Sequence, residues 1–177
     1  MPQYASQYGH VQPQITQFPA GARGLNVNCA LGAPGLEITG GSAAATASTA
    51  NTVAYRMGGV YSAPAVAATM PVLTGGNLAF DNGTVDPTTK CCRCYTFFAS
   101  VSATTGAVTY SVLYGGDFTK NRPMYETDVN LGDGSLAIVG FLYVKNEGAT
   151  AFIPNSTNLD ASGVTAHFSD AYGYVVA

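Results

Sequence analysis

An all-β fold, built as an antiparallel β-sandwich or barrel with an extended N-terminal arm and two long loops, is the architecture this sequence predicts. Three observations predict it. Short apolar runs with a two-residue period recur along the chain, turn signals rich in Gly, Pro and Asn separate them, and no stretch carries the 3.6-residue period of an amphipathic helix. Strands of this kind must bury one face against another sheet or close on themselves. No repeat of fixed period accompanies them. At 177 residues and 18.2 kDa the chain suffices for one core, expected over residues 25–177 and preceded by an arm over residues 1–24.

The arm holds Pro2, Pro13 and Pro19, which fix φ and remove backbone donors. Between them stand isolated apolar residues in neither helical nor strand period. The expectation is an arm lying on a neighbouring subunit rather than a loose tail, with Tyr4, Tyr8, Ile15 and Phe18 as its interface anchors.

Residues 25–31 then alternate, with Leu25, Val27, Cys29 and Leu31 against Asn26, Asn28 and Ala30. Pro34-Gly35 punctuates, and residues 36–39 offer a second short strand. Residues 40–50, rich in Ala, Ser and Thr, read as a loop or a helical turn. Gly58-Gly59 between residues 52–57 and 60–62 signals a hairpin, because primed turns need positive φ. Residues 64–90 read as a long loop with one short strand at 78–80. The strongest strand covers residues 91–102, rich in aromatic and β-branched side chains. Ala103-Thr104-Thr105-Gly106 turns it into residues 107–114, where Val108, Tyr110 and Val112 share a face. A second long loop is expected over residues 115–134. Strands at 136–145, 149–153, 164–168 and 172–176 complete the reading.

Charge is scarce: seven basic and ten acidic residues make 10% of the chain, with a net charge of −3, against about 25% charged in typical domains. An apolar fraction of 47% excludes charge-driven disorder. The scattered cations do not form the cluster that phosphate binding requires, so no nucleic-acid partner is expected. No apolar run reaches the roughly 20 residues of a membrane helix. Eleven Tyr and eight Phe on so uncharged a chain point to a surface covered by partners, and to a homo-oligomer.

No phosphate loop, dinucleotide-binding fingerprint or nucleophile elbow is present. His10 lies in the arm. His167 has Ser169 on its strand face and Asp170 beside it, but adjacency in sequence does not make a hydrogen-bonded constellation. Cys91, Cys92 and Cys94 lack the second ligand pair of a zinc site. On a strand, Cys92 and Cys94 face one way and Cys91 the other. Free thiols acting as small apolar residues are expected, over a metal site or a disulfide to Cys29. Glu126, Asp128, Asn130 and Asp133 fail the calcium-loop pattern, with Gly132 and Val139 at ligand positions, and read as a solvated loop. Asn82-Gly83-Thr84 and Asn155-Ser156-Thr157 match the glycosylation sequon. The first residues show no secretory signal, so the expected compartment is a reducing cytoplasm and the sequon matches are accidental. The expectation is no enzyme, no cofactor and no metal.

Four segments carry a resemblance: Tyr55-Arg56-Met57-Gly58-Gly59-Val60-Tyr61; residues 94–109, Cys-Tyr-Thr-Phe-Phe-Ala-Ser-Val-Ser-Ala-Thr-Thr-Gly-Ala-Val-Thr; residues 138–145, Ile-Val-Gly-Phe-Leu-Tyr-Val-Lys; and residues 152–168, Phe-Ile-Pro-Asn-Ser-Thr-Asn-Leu-Asp-Ala-Ser-Gly-Val-Thr-Ala-His-Phe. Over residues 55–170 the chain resembles tailed-bacteriophage virion proteins of the head decoration or cement type. The resemblance implies a non-enzymatic protein made in the host cytoplasm that binds the outer capsid surface. Its partners would be the major capsid protein and its own copies. A trimer is expected, since capsids offer three-fold sites that closed cyclic symmetry satisfies. The competing reading is a phage tail, neck or fibre component in host attachment, for which repeats or a coiled segment would be expected. A glycan-degrading enzyme would need two placed acids, and nothing pairs any of the ten.

Overall fold

The computed structural model describes residues 28–40, 45–57, 60–66, 68–80, 89–119 and 136–171. They form nine strands and no helix: β1 (Cys29–Ala30), β2 (Leu36–Ile38), β3 (Ala47–Thr49), β4 (Tyr55–Met57), β5 (Val60–Tyr61), β6 (Lys90–Val101), β7 (Val108–Thr119), β8 (Leu136–Asn146) and β9 (Val164–Asp170). All pairings are antiparallel. The principal sheet has the order β7-β6-β8-β9. Two small sheets, β1-β4-β5 and β2-β3, lie against it. Among the described residues β7 and β9 do not pair, so the principal sheet is open and, of the two predicted architectures, the layered sandwich fits and the closed barrel does not.

The core lies between these layers. Tyr95, Phe97 and Ala99 of β6 and Leu142 and Val144 of β8 meet Tyr55, Met57 and Leu78 from the facing segments. Val108, Tyr110 and Val112 line the same side of β7, as their alternation predicts. Ala137 and Val139 also point inward although they are odd-numbered, whereas Leu142 and Val144 are even. A bulge resolves the conflict: Phe97 pairs with Gly140 but Phe98 with Ile138, leaving Val139 as the extra residue. The extra residue reverses the side-chain phase, so both halves of β8 bury their apolar set.

Polar side chains join the layers. The Asp170 carboxylate accepts the Gly35 and Leu36 N–H groups at 3.0 and 2.9 Å, tying β2 to β9. Buried Asn146 donates to the carbonyls of Leu78, Ala79 and Thr150 at 3.3, 3.3 and 2.9 Å. Its own Oδ1 accepts the Gly148 N–H at 3.2 Å. Tyr55 and Ser62 hydrogen-bond through both backbone and side chain, holding β4 to the chain after β5.

Several expectations change. Residues 40–50 contain strand β3, whose Ala47 and Thr49 are buried. The expected strands at 78–80 and 149–153 reduce to one bridge, Leu78 with Phe152. Residues 115–119 belong to β7 rather than to the second long loop. Gly115-Gly116 is expected to open that loop, but Gly116 at φ 101° forms a bulge through which β7 continues to Thr119. The proposed strand at 172–176, residues 25–27 of the first strand, and residues 120–134 of the second loop lie outside the described residues.

Gly140 tests the packing directly. A Cβ there would collide with the Ser169 carbonyl oxygen and lie 2.5 Å from Leu36 Cδ1. Gly140→Ala should therefore cost about 1–3 kcal/mol by overpacking, read as a lowered midpoint in urea denaturation with the circular dichroism spectrum retained.

Candidate interaction surface

β7 is the outermost strand of the principal sheet and pairs only with β6 among the described residues. From Val108 to Tyr114 it runs in unbroken register with Val101 to Tyr95. This stretch has no charged residue and no proline, and Leu113 and Tyr114 are 45% and 37% exposed. Natural edge strands are usually short, charged or interrupted by proline, because their unpaired N–H and C=O groups attract other strands. The far end of β7 is held by a buried ion pair. Arg93, with no exposed side-chain surface, donates from Nε to Asp117 Oδ1 at 2.6 Å and from Nη2 to Oδ2 at 3.1 Å. It also donates from Nη1 to the Tyr95 hydroxyl at 3.2 Å, which in turn donates to the Thr74 carbonyl at 2.9 Å. Its guanidinium carbon lies 4.9 Å from the Tyr114 ring centroid. Burial opposes the guanidinium charge, but the bonds to Asp117 and Tyr95 outweigh it and hold its pKa above the usual arginine value. Sequence reasoning left this pair undetected, because Asp117 was assigned to a loop.

On the side of the principal sheet away from the core, Cys92, Cys94, Thr96 and Phe98 form a buried central row. Half-buried Phe118 on β7 and Ile138, Phe141 and Tyr143 on β8 flank it, while exposed Thr109, Ser111, His167 and Ser169 mark the edge strands. The expected opposition of Cys91 to Cys92 does not hold. A bulge at Cys91 breaks the alternation and brings the two sulfurs to 3.8 Å. Burial pushes the Cys92 thiol up to about 11, against the hydrogen bond from Tyr143, with Cys91 adding to the rise. Burial, followed by the Cys92 contact, raises the Tyr143 phenol. Burial raises Tyr55 as well, and so does its hydroxyl partner Tyr110, 3.4 Å away. None of the four cysteines forms a disulfide.

His167 stacks on Tyr143 with ring centroids 6.4 Å apart. Ser169 shares its face, but Asp170 points to the opposite side and is engaged by Gly35 and Leu36. The three therefore do not converge. Among the described residues no three His, Cys, Asp or Glu side chains gather as a ligand set. Asn155 takes φ 60° in a turn, and Thr157 Oγ1 accepts the Ile153 N–H at 2.9 Å, which gives this sequon match a structural role. The arm anchors Tyr4, Tyr8, Ile15 and Phe18, together with His10, Asn82 and the carboxylates Glu126, Asp128 and Asp133, lie outside the described residues. Among the described residues no helix is long and apolar enough to cross a membrane.

No family model matches the chain, and no curated protein or solved structure matches it.

Asp117→Ala should strand a buried guanidinium and cost about 2–3 kcal/mol, below the fully buried case because Asp117 is 21% exposed. Arg93→Met combined with Asp117→Asn should recover most of that loss in the same urea titration, since no lone charge is then buried. A second outcome concerns alkali. The unfolded Cys92 thiol ionises near its ordinary value of 9.0, while the folded thiol keeps its proton to about 11. Between these values the unfolded chain binds fewer protons, so stability falls as pH rises from 9 to 11. Raised Tyr55, Tyr95 and Tyr143 add a loss of the same sign above pH 10. Cys92→Ala should flatten the decline between pH 9 and 10, measured as the urea midpoint against pH.

Proposed function

We propose that this chain is a non-enzymatic structural protein of a tailed-bacteriophage virion, binding and stabilising the outer capsid surface as decoration or cement proteins do. The observation that carries this reading is the seven-residue uncharged stretch of open edge on β7, with Leu113 and Tyr114 exposed beside it. Such an edge on a chain with only 10% charged residues suits a surface that spends its life covered by protein. Tyr61, Val66 and Val72, at 59%, 71% and 53% exposure, add apolar area on the segments beside β4. The resemblance over residues 55–170 supplies the particle. The partners are the major capsid protein and sister copies, assembled as a trimer suited to three-fold capsid sites. Binding free energy comes from buried apolar area at about 25 cal/mol per Å², less the cost of association. Several simultaneous contacts raise the effective affinity.

The arm provides the test. Deleting residues 2–20 leaves every described strand intact, so the β domain should fold. Occupancy on undecorated particles should fall sharply beside the full-length protein, measured by electron microscopy of the mixed particles. Equal occupancy and equal particle stability would show that the arm contributes nothing to attachment. Density for the chain on the tail or neck, and none on the head, would overturn the capsid reading itself.

A further inference from the structure

We propose that the free edge of β7 receives the N-terminal arm of a neighbouring copy as an added strand. This deepens the assembly reading above and rests on it only in taking the arm as a contact between copies. The edge is long: β7 has 12 residues, against a usual strand of about five or six. Over residues 108–114 it has none of the devices that keep edges apart, for it carries no Lys, no Pro and no bulge. Its outward N–H and C=O groups have no strand partner among the described residues.

The arm complements that edge. Residues 1–22 contain no Asp, Glu, Lys or Arg, so no charged side chain in them has to be desolvated against the uncharged edge. Residues 3–12, between Pro2 and Pro13, retain every backbone donor. An ordered segment needs partners for those groups, and strand addition supplies them along the whole length. Seven edge residues extend about 23 Å at about 3.3 Å each, a length that residues 3–12 cover. Tyr4 and Tyr8, four positions apart, would share one face of the added strand. On that strand they can pair with exposed side chains of β7 such as Leu113.

The point of departure also fits. Asn28, the first described residue, donates its side-chain amide to the Leu136 carbonyl at 3.0 Å. Leu136 pairs with Ser100, next to the Val101–Val108 pair where β7 begins. The arm thus leaves at the end of the sheet where β7 starts. Residues 13–27 leave about 50 Å of extended chain between the exit and the added strand, enough to cross to an adjacent copy. A contact from the arm of one copy to the edge of the next is heterologous and closes into a ring when the rotation allows, as a trimer requires.

The experiment uses the free full-length protein, so it reads the contact without reference to a particle. Nitrogen-15-labelled chains carrying p-benzoylphenylalanine in place of Tyr8 are mixed with unlabelled chains and irradiated, and the joined peptides are sequenced by mass spectrometry. The expected product joins a labelled arm to an unlabelled peptide spanning residues 108–119. Ser111→Lys in the unlabelled chains, an exposed position on β7, should lower that yield about tenfold, the change that ~1.4 kcal/mol of lost contact produces. Its circular dichroism spectrum should stay unchanged. Amides of residues 108–114 should exchange about tenfold faster once residues 2–20 are deleted, by the same conversion. Joins confined to one isotope, joins to other segments, or no joins at all would overturn the proposal. So would a truncated chain that still associates with its β7 amides protected, because β7 would then pair with β7 of a second copy. Loss of particle binding with the expected cross-link intact would fail the capsid reading and leave the arm-to-edge contact standing.

Discussion

Everything in this fold hangs on β6 being hydrogen-bonded along both edges. Between β7 and β8 its backbone is satisfied on each side, and every residue from Cys91 to Ala99 is buried. On the side away from the core, Cys92, Thr96 and Phe98 are buried between half-buried Phe118 of β7 and Ile138, Phe141 and Tyr143 of β8. The double pairing of β6 explains why the bulges fall where they do. Cys91, Val139 and the Gly115-Gly116 pair each absorb a mismatch between β6 and a neighbour, so that ladders on both sides survive.

The small sheets are too short to stand alone, since strands of two or three residues bury little and bond little. Their attachment depends on polar groups placed at the margins of the core. Asp170 reaches β2, Asn146 captures the segment around Leu78, and Tyr95, itself bonded by Arg93, holds the chain at Thr74. Each is a side chain of the principal sheet bonding a loop or a short strand. Among the described residues no buried side-chain nitrogen or oxygen lacks a partner. Buried polar groups of this kind fix which loop sits where, because a displaced loop would leave them unpaired at a cost of about 1–3 kcal/mol each.

The parts legible in the sequence were those whose information is local. The hairpin from β6 to β7 was readable because Ala103-Thr104-Thr105-Gly106 separates two strongly β-forming runs, and Gly106 takes a positive φ of 69° in that turn. β8 was readable from its apolar content, and β9 from the alternation of Val164, Ala166 and Phe168 with Thr165 and His167. The misreadings share one cause, which is that tertiary partners decide what weak local signals leave open. Residues 47–49 are Ala-Ser-Thr, with little β preference, and become β3 because β2 lies opposite them. Gly115-Gly116 has the composition of a turn, but Arg93 and Asp117, 24 positions apart, pull the chain onward as strand. The facing expected at Cys91 against Cys92 followed a perfect alternation that the bulge at Cys91 removes.

The same reasoning bears on why the β7 edge stands apart from the rest of the surface. The polar connectors bind the layers on the core side, and β8 carries β9 along its outer edge. β9 ends in Asp170, whose carboxylate is bonded, and presents His167 and Ser169 to solvent. β7 instead leaves Leu113 on one face and Tyr114 on the other partly exposed, and has its one charged residue, Asp117, neutralised by Arg93. Neutralising that carboxylate internally leaves β7 itself with no unpaired charge to keep a partner strand away. The ion pair therefore acts twice. It fixes the bulged end of β7 against β6, and it leaves the whole edge uncharged. A monomeric domain gains nothing from the second effect, whereas an assembling one depends on it, because backbone pairing at an edge is favourable only when no buried charge must be desolvated with it.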